Sequence, residues 1–314
     1  MKPQELFKRM THHDVKPTRL PREAVRPPAV ASILQVLKAG CLKAGLLSAA
    51  MLAALVPAQP VMAQGRLDAQ YEASLAGILV GRGAWRIDIT EDQYAAAAQG
   101  GSSGIMKAFS GGSGSGSAAG KVVNGQLQPS GYTATTSTSR KSETIRITLA
   151  GGVIKDSSIT PEPPPDNDRI PITEAHRRGV VDPMTGSMMR VSGTGDLMSA
   201  EVCRTATAIF DGRMRYDLKF DFKRIENVKA EKGYRGPALV CAVYFTPISG
   251  YIADRAAIKY LMAQRDMEVW LVPIPGTRVL VPFKMKIPTP LGNAVLEATQ
   301  FVAAATPRAA SKGP

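Results

Sequence analysis

Polar and apolar residues alternate one by one along much of this chain, and glycine- and proline-containing turns cut the alternation into short segments. Over residues 84–90, Trp85, Ile87 and Ile89 alternate with Arg86, Asp88 and Thr90, the period of a strand with one wet face. "GRG" at 81–83 would turn this strand back on the apolar run before it. Ile145, Ile147 and Leu149 repeat the pattern against Thr144, Arg146 and Thr148, and "AGG" at 150–152 leads into the next strand. "TATAIF", "DG" and "MRYDLKF" spell a hairpin, with Asp211-Gly212 as a two-residue turn of positive φ angles. "ALVCAVYFTPI", "MEVWLVP", "RVLVPFKMKI" and "NAVLEATQFV" supply further strands.

Helical pattern is scarce. "DRAAIKYLMAQRD" places Ile258, Leu261 and Met262 on one side. In "VVDPMTGSMM" Asp182 can cap and Pro183 fits a first helical position, giving a turn or two. About ten strands at short spacing predict a mainly β fold, a single antiparallel β-barrel or strongly curved half-barrel with one or two short helices. The Ser/Gly tract at 110–120 reads as a loose loop or thin edge strand. "TPEPPPDNDRIP" reads as a stiff exposed loop, since proline cannot feed a ladder hydrogen bond.

Residues 1–63 differ from the rest. A basic, proline-interrupted lead ends in Lys38 and Lys43, an apolar run from Ala44 to Ala58, and "VMA" closing at Ala63. A positive flank, a short apolar core and small residues at −3 and −1 describe a secretory signal peptide, cleaved after Ala63. The competing reading, an N-terminal membrane anchor, needs about 20 apolar residues, more than this run offers. The expected division is a leader at 1–63, one β-rich domain at 64–302 and a disordered tail at 303–314.

Charge follows this division. Of the formal +13, the leader carries nine Lys/Arg and three Asp/Glu, which leaves +7 for the remainder. That is mildly basic with no dense run, which argues against nucleic-acid binding and is compatible with weak attraction to anionic envelope surfaces.

Groups that could carry chemistry are few. Gly120-Lys121 resembles the end of a phosphate loop, but Ser115 stands in place of the first glycine and Val122 replaces the hydroxyl residue. Outside the leader the one histidine is His176, too little for a histidine zinc site, and Cys203 and Cys241 lack the close spacing of thiolate ligands. Asp166 and Asp168 have no further ligands at calcium-loop spacing. Glu226 and Glu231 alternate with basic residues and read as a solvated face. No catalytic residue, metal or cofactor is assigned.

Export to an oxidising compartment makes Cys203–Cys241 a disulfide. If "ALVCAVYF" pairs on the far side of the middle strand, the outer strands lie about 9–10 Å apart, too far for a bridge that needs about 4.4–6.8 Å between Cα atoms. Either Cys203 sits on a segment before the first strand that folds over the sheet, or the strands are not a simple meander; the first is expected, since Cys203 lies eight residues before the turn.

Several spaced motifs then resemble one family. A cysteine before "FDGRMRYDL", followed by "YRGPALVCAVYFTPISGY", "VWLVP" and "PFKMKIPTPLGNAVLEATQF", is similar to the domain-of-unknown-function family 3108. "YEASLAGILVG", "GQLQPSGY" and "VVDPMTGSMM" in the first half fit the same family. The resemblance implies a periplasmic location and a mostly β fold, and carries no activity with it. Gly212, Gly250, Tyr251, Pro290 and Gly292 within these motifs read as turn and packing positions.

The functional expectation is a non-enzymatic periplasmic protein that holds an apolar or lipid-like ligand in its barrel. The alternatives are an envelope structural or interaction module using a sheet edge or the proline loop, and a hydrolase-type enzyme. The last requires a polar pocket containing His176 or a carboxylate pair with displaced pKa values.

Overall fold

The computed structural model describes residues 64–104 and 111–305. The leader and its cleavage point, residues 105–110 with the first residue of the Ser/Gly tract, and the tail beyond 305 lie outside these residues. The first seven strands are β1 (Gly65–Leu75), β2 (Ile78–Ile89), β3 (Gln93–Ser102), β4 (Ser113–Val123), β5 (Gln126–Ser137), β6 (Ser142–Ala150) and β7 (Val153–Thr160). After a long connection come the two-residue β8 (Met189–Arg190), then β9 (Thr205–Phe210), β10 (Arg215–Lys229), the two-residue β11 (Lys232–Gly233) and β12 (Arg235–Ser249). A helix (Ala256–Ala263) precedes β13 (Glu268–Pro273), β14 (Val279–Thr289) and β15 (Gly292–Ala305).

These strands form one strongly curved sheet in the order β7-β6-β5-β4-β3-β2-β1-β15-β14-β13-β12-β10-β9, with β8 on β14 and β11 on β15. The path is antiparallel from end to end, so β1 joins the two halves by pairing with both β2 and β15. It does not close strand to strand; β7 and β9 are its edges. The gap is spanned by the connection. Val180 N donates to Gly152 O (3.1 Å), Val181 N donates to Ala208 O (2.9 Å), and Phe210 N donates to Val181 O (2.9 Å). The half-barrel expected from the sequence is the observed architecture, and a short plug segment ties its edges.

Where local expectations differ, side-chain size explains the difference. "GRG" at 81–83 is not a turn: it lies inside β2, and the reversal falls at Ala76-Gly77, whose φ angles are 50° and 81°. Gly83 faces Gly100 across the ladder, and an added Cβ at Gly83 would stand 3.0 Å from Gln99 O, so close strand approach requires the glycines. The Ser/Gly tract is neither a loop nor an edge. It forms β4, which pairs with β3 on one side and β5 on the other. The turn at Asp211 is centred one residue later, on Gly212-Arg213. Asp211 N donates to Met214 O (3.1 Å), its Oδ1 accepts from the Arg213 and Met214 amides, and only Gly212 has positive φ (93°). At the other end β15 continues to Ala305, three residues past the expected domain limit.

One core contains Leu67, Tyr71, Ile87, Trp270, Phe283 and Phe301, with the Tyr234, Phe283 and Phe301 rings tilted against one another at 5.5–6.3 Å between centroids. A second lies on the opposite side of β12 and β13, where Leu239, Cys241, Val269 and Leu271 pack against Val202 and Cys203. Cys203 ends a 3-10 turn (Ala200–Cys203) just before β9 and folds over the sheet to Cys241, with S–S 2.04 Å and Cα–Cα 5.6 Å. Strand β10 stands between β9 and β12, so the bridge takes the route expected of it. Closing a loop of this length restricts the unfolded chain by about 3–4 kcal/mol.

Candidate functional site

The lower part of the curved sheet is filled by the first core, whereas its inner face opens into a cleft above Tyr71. The register explains the space. Tyr71 pairs with Gly83, Gly83 with Gly100, and Gly100 with Gly114. One step along, Trp85 pairs with Ala98, and Ala98 with Gly116. Successive strands thus present glycine or alanine to the same face, and the interior beside the two aromatic rings stays vacant.

The cleft has a volume of about 360 Å³. Tyr71, Trp85, Tyr132, Met184, Met285 and Leu296 give it an aromatic and aliphatic wall, and Ser187 and the backbone of Gln99 also border it. No charged residue lines it. The Trp85 indole Nε1–H is buried without an acceptor among the described residues, although such a group usually finds one. Tyr71 is tied down, its hydroxyl donating to Pro282 O at 2.7 Å across the cleft floor.

One wall is the helical turn Pro183–Gly186, as the Asp-Pro signature predicts. Asp182 is fully buried; its Oδ1 accepts from Met184 N (3.0 Å) and Thr185 N (2.9 Å). Thr185 Oγ1 donates to Asp182 Oδ2 (2.6 Å) and accepts from the Tyr94 hydroxyl (2.7 Å), which pins the turn to β3. Gly120, the glycine of the phosphate-loop-like stretch, makes room for this pin: a Cβ there would stand 2.8 Å from Tyr94 Cε1 and 2.1 Å from Gln128 O. It lies in a strand with no helix following, so nothing there could cradle a phosphate.

The electrostatics behind this wall are unusual. Burial pushes the Asp182 carboxyl up, against the pull of its hydrogen bonds from Thr185 and Met184. Burial does the same to Asp211, against the amides of Arg213 and Met214. Burial pushes Tyr132 up to about 12, reinforced by the negative charges of Asp182 and Asp211. Two carboxyls and a phenol therefore share a low-dielectric corner beside the cleft. Asp182, however, spends both oxygens on Met184 and Thr185, and Asp211 spends Oδ1 on the amides of its own turn.

His176 is elsewhere. It sits in the 3-10 turn Glu174–Arg177, where its Nδ1 accepts from Thr173 N (3.2 Å), away from the cleft lining. Asp166 accepts from Asp168 N and pairs with Arg169 (3.1 Å), while Asp168 adds no second ligand. No group of three or more potential metal ligands occurs among the described residues. Glu226 pairs with Arg224 (2.8 Å), and Glu231 is exposed.

Sequence reading passed over Glu268, which is 5% exposed and contacts Lys223 (2.6 Å), Arg224 (3.0 Å) and Lys286 (3.0 Å). Burial raises its carboxyl, but the three cations prevail and hold it at about 2. Arg224 and Lys284 also lie 5.5 and 5.3 Å from the Trp270 ring centroid. This cluster fastens β10, β13 and β14 together. Its only advance signal was alternation of Lys284 and Lys286 opposite an acidic position, invisible before the register is known.

A family model described as Protein of unknown function (DUF3108) matches residues 70–299. Among solved structures, the chain is similar to the crystal structure of a β-barrel-like protein of Domain of Unknown Function DUF1849 from Brucella abortus. Identity is 8% and the TM-score 0.42, over 78% of this chain and 99% of that one. No curated protein matches.

Proposed function

The chain belongs to the DUF3108 family, and we propose that it is a non-enzymatic protein of the cell envelope that holds the hydrocarbon body of one apolar or lipid-like ligand in the cleft above Tyr71. The observation that carries the reading is the lining itself: aromatic and thioether side chains, no charge, and one indole N–H left without an acceptor among the described residues. Apolar pockets with few polar groups suit ligands whose body is hydrocarbon and whose orientation is fixed by one or two hydrogen bonds. At about 360 Å³ the cleft lies near the lower end of ligand sites, which favours a single acyl chain or a molecule of similar girth. Export through the leader would supply the compartment.

The enzyme alternative fares less well on the residues it needs. His176 is outside the cleft, and Asp182 and Asp211 cap turns. The interaction-module alternative would use a sheet edge or the proline loop, and the plug segment occupies part of both edges.

Titration of the mature protein with a fluorescent fatty acid tests the proposal. Saturable one-to-one binding should quench Trp85, and Leu296→Lys should weaken it at least tenfold by placing a charge among apolar walls. Trp85→Phe separates the signal from that of Trp270. Absence of saturable binding, or equal binding by Leu296→Lys, would overturn it.

A further inference from the structure

The apolar lining of the cleft does not stop at its rim. Along β14 and β15 the cleft pair Met285–Leu296 is followed, two residues nearer the tip, by Ile287–Ala294. On β1, Ala73 pairs with Leu296 and Leu75 with Ala294, and Leu75 also pairs with Ile78 of β2. Pairs directly opposite one another share a face, so an apolar row Ile287–Ala294–Leu75–Ile78 continues the cleft toward one end of the sheet.

Two hairpin tips meet there. Ala76 N donates to Asn293 O (2.9 Å), and a Cβ on Gly292 would stand 2.9 Å from the Cβ of Ala76. At these adjoining tips Ile78 is 60% and Leu291 75% exposed. The segments 73–81 and 287–296 contain no charged residue, in a chain where 21% of residues are charged. Exposed aliphatic residues on a neutral tip, joined to an apolar cleft without an intervening charge, mark a surface that partitions into hydrocarbon rather than one that recognises a charged partner. The bond between the tips also satisfies one of their backbone amides, which matters where water is scarce.

We infer that the paired tips of the β1–β2 and β14–β15 hairpins are the edge with which the protein docks on a lipid bilayer, so that an acyl chain passes along the apolar row into the cleft. The inference rests on the ligand-binding reading for its purpose, but its test is separate. The occupant is the bilayer's apolar layer and not its headgroup charge, so binding should occur on neutral vesicles.

The experiment is flotation of the mature protein with phosphatidylcholine vesicles at low and high salt, beside Ile78→Asp/Leu291→Asp. Wild-type protein should float at both salt concentrations. The double variant should lose roughly a hundredfold in partitioning, since each aliphatic side chain removed from water is worth more than a factor of ten. Circular dichroism and melting of the variant should be unchanged, because both side chains are exposed. Uptake of a water-soluble short-chain fluorescent fatty acid by the wild-type protein reads the cleft separately. Three results would overturn the docking edge: no flotation on neutral vesicles, flotation that requires anionic lipid and disappears in salt, or a wild-type dimer that the double variant dissolves. Flotation of a protein that takes up no fatty acid would uphold the docking edge and refute the cleft reading. Fatty-acid uptake without flotation would do the reverse.

Discussion

Glu268 shows how one buried carboxylate can be held by its neighbours. Desolvation alone would favour its neutral form, yet Lys223, Arg224 and Lys286 reach it from three sides and keep it ionised. Its folded-state pKa of about 2 lies below the ordinary value of 4.5. Folding therefore gains stability from it above about pH 4.5, and that gain is lost as pH falls toward 2. Glu268→Gln should cost about 2 kcal/mol at pH 7, a figure below the full linkage value because the cations are partly solvated. Urea unfolding at pH 7 and pH 3 measures it. The difference between wild type and variant should shrink at the lower pH, whereas an unchanged difference would deny the ionic origin. Asp182 and Asp211 behave in the opposite sense. Burial raises both, so their ionisation subtracts stability as pH rises through their folded-state values.

At the scale of elements, the decisive piece is the helical turn Pro183–Gly186. It walls the cleft through Pro183 and Met184, and its hold on β3 passes through Asp182, Thr185 and Tyr94. Asp182→Ala removes the cap and leaves the Thr185 hydroxyl without its acceptor, an expected loss of about 2 kcal/mol. Tyr94→Phe should cost about 1 kcal/mol through the same chain of bonds. If equilibrium unfolding shows the two losses to be strictly additive, the pin is not one unit. This element was legible in advance, because Asp-Pro is a local signal and capping is local physics. Strand β4 was not. Its Ser115 and Ser117 alternate with Gly114, Gly116 and Ala118, the last buried, which is a period of two written in small residues. Hydrophobic periodicity cannot register a strand whose inward face is deliberately empty, and "GRG" in β2 misled for the same reason. The glycines that look like turns are the ones that keep the cleft open.

Across the whole molecule, the curved antiparallel sheet could be read from strand spacing, and the bridge from Cys203 to Cys241 from the expectation of export. The sheet order could not. Pairing of β1 with β15 joins residues more than two hundred positions apart, and no local pattern encodes it. The cleft depends on that pairing, since Tyr71 of β1 meets Met285 and Leu296 of the last two strands only once the ends are joined. Tip, apolar row and cleft then form one continuous path from Leu291 and Ile78 to Trp85. Its meaning rests on the cleft holding a ligand in its native setting. Native mass spectrometry of the protein taken from its own host is the most direct test. The account predicts one apolar adduct per chain, released by organic solvent and absent from Ala98→Trp, in which the new ring fills the cleft beside Trp85. A bare chain mass for the wild-type protein, or the same adduct on the filled variant, would contradict it.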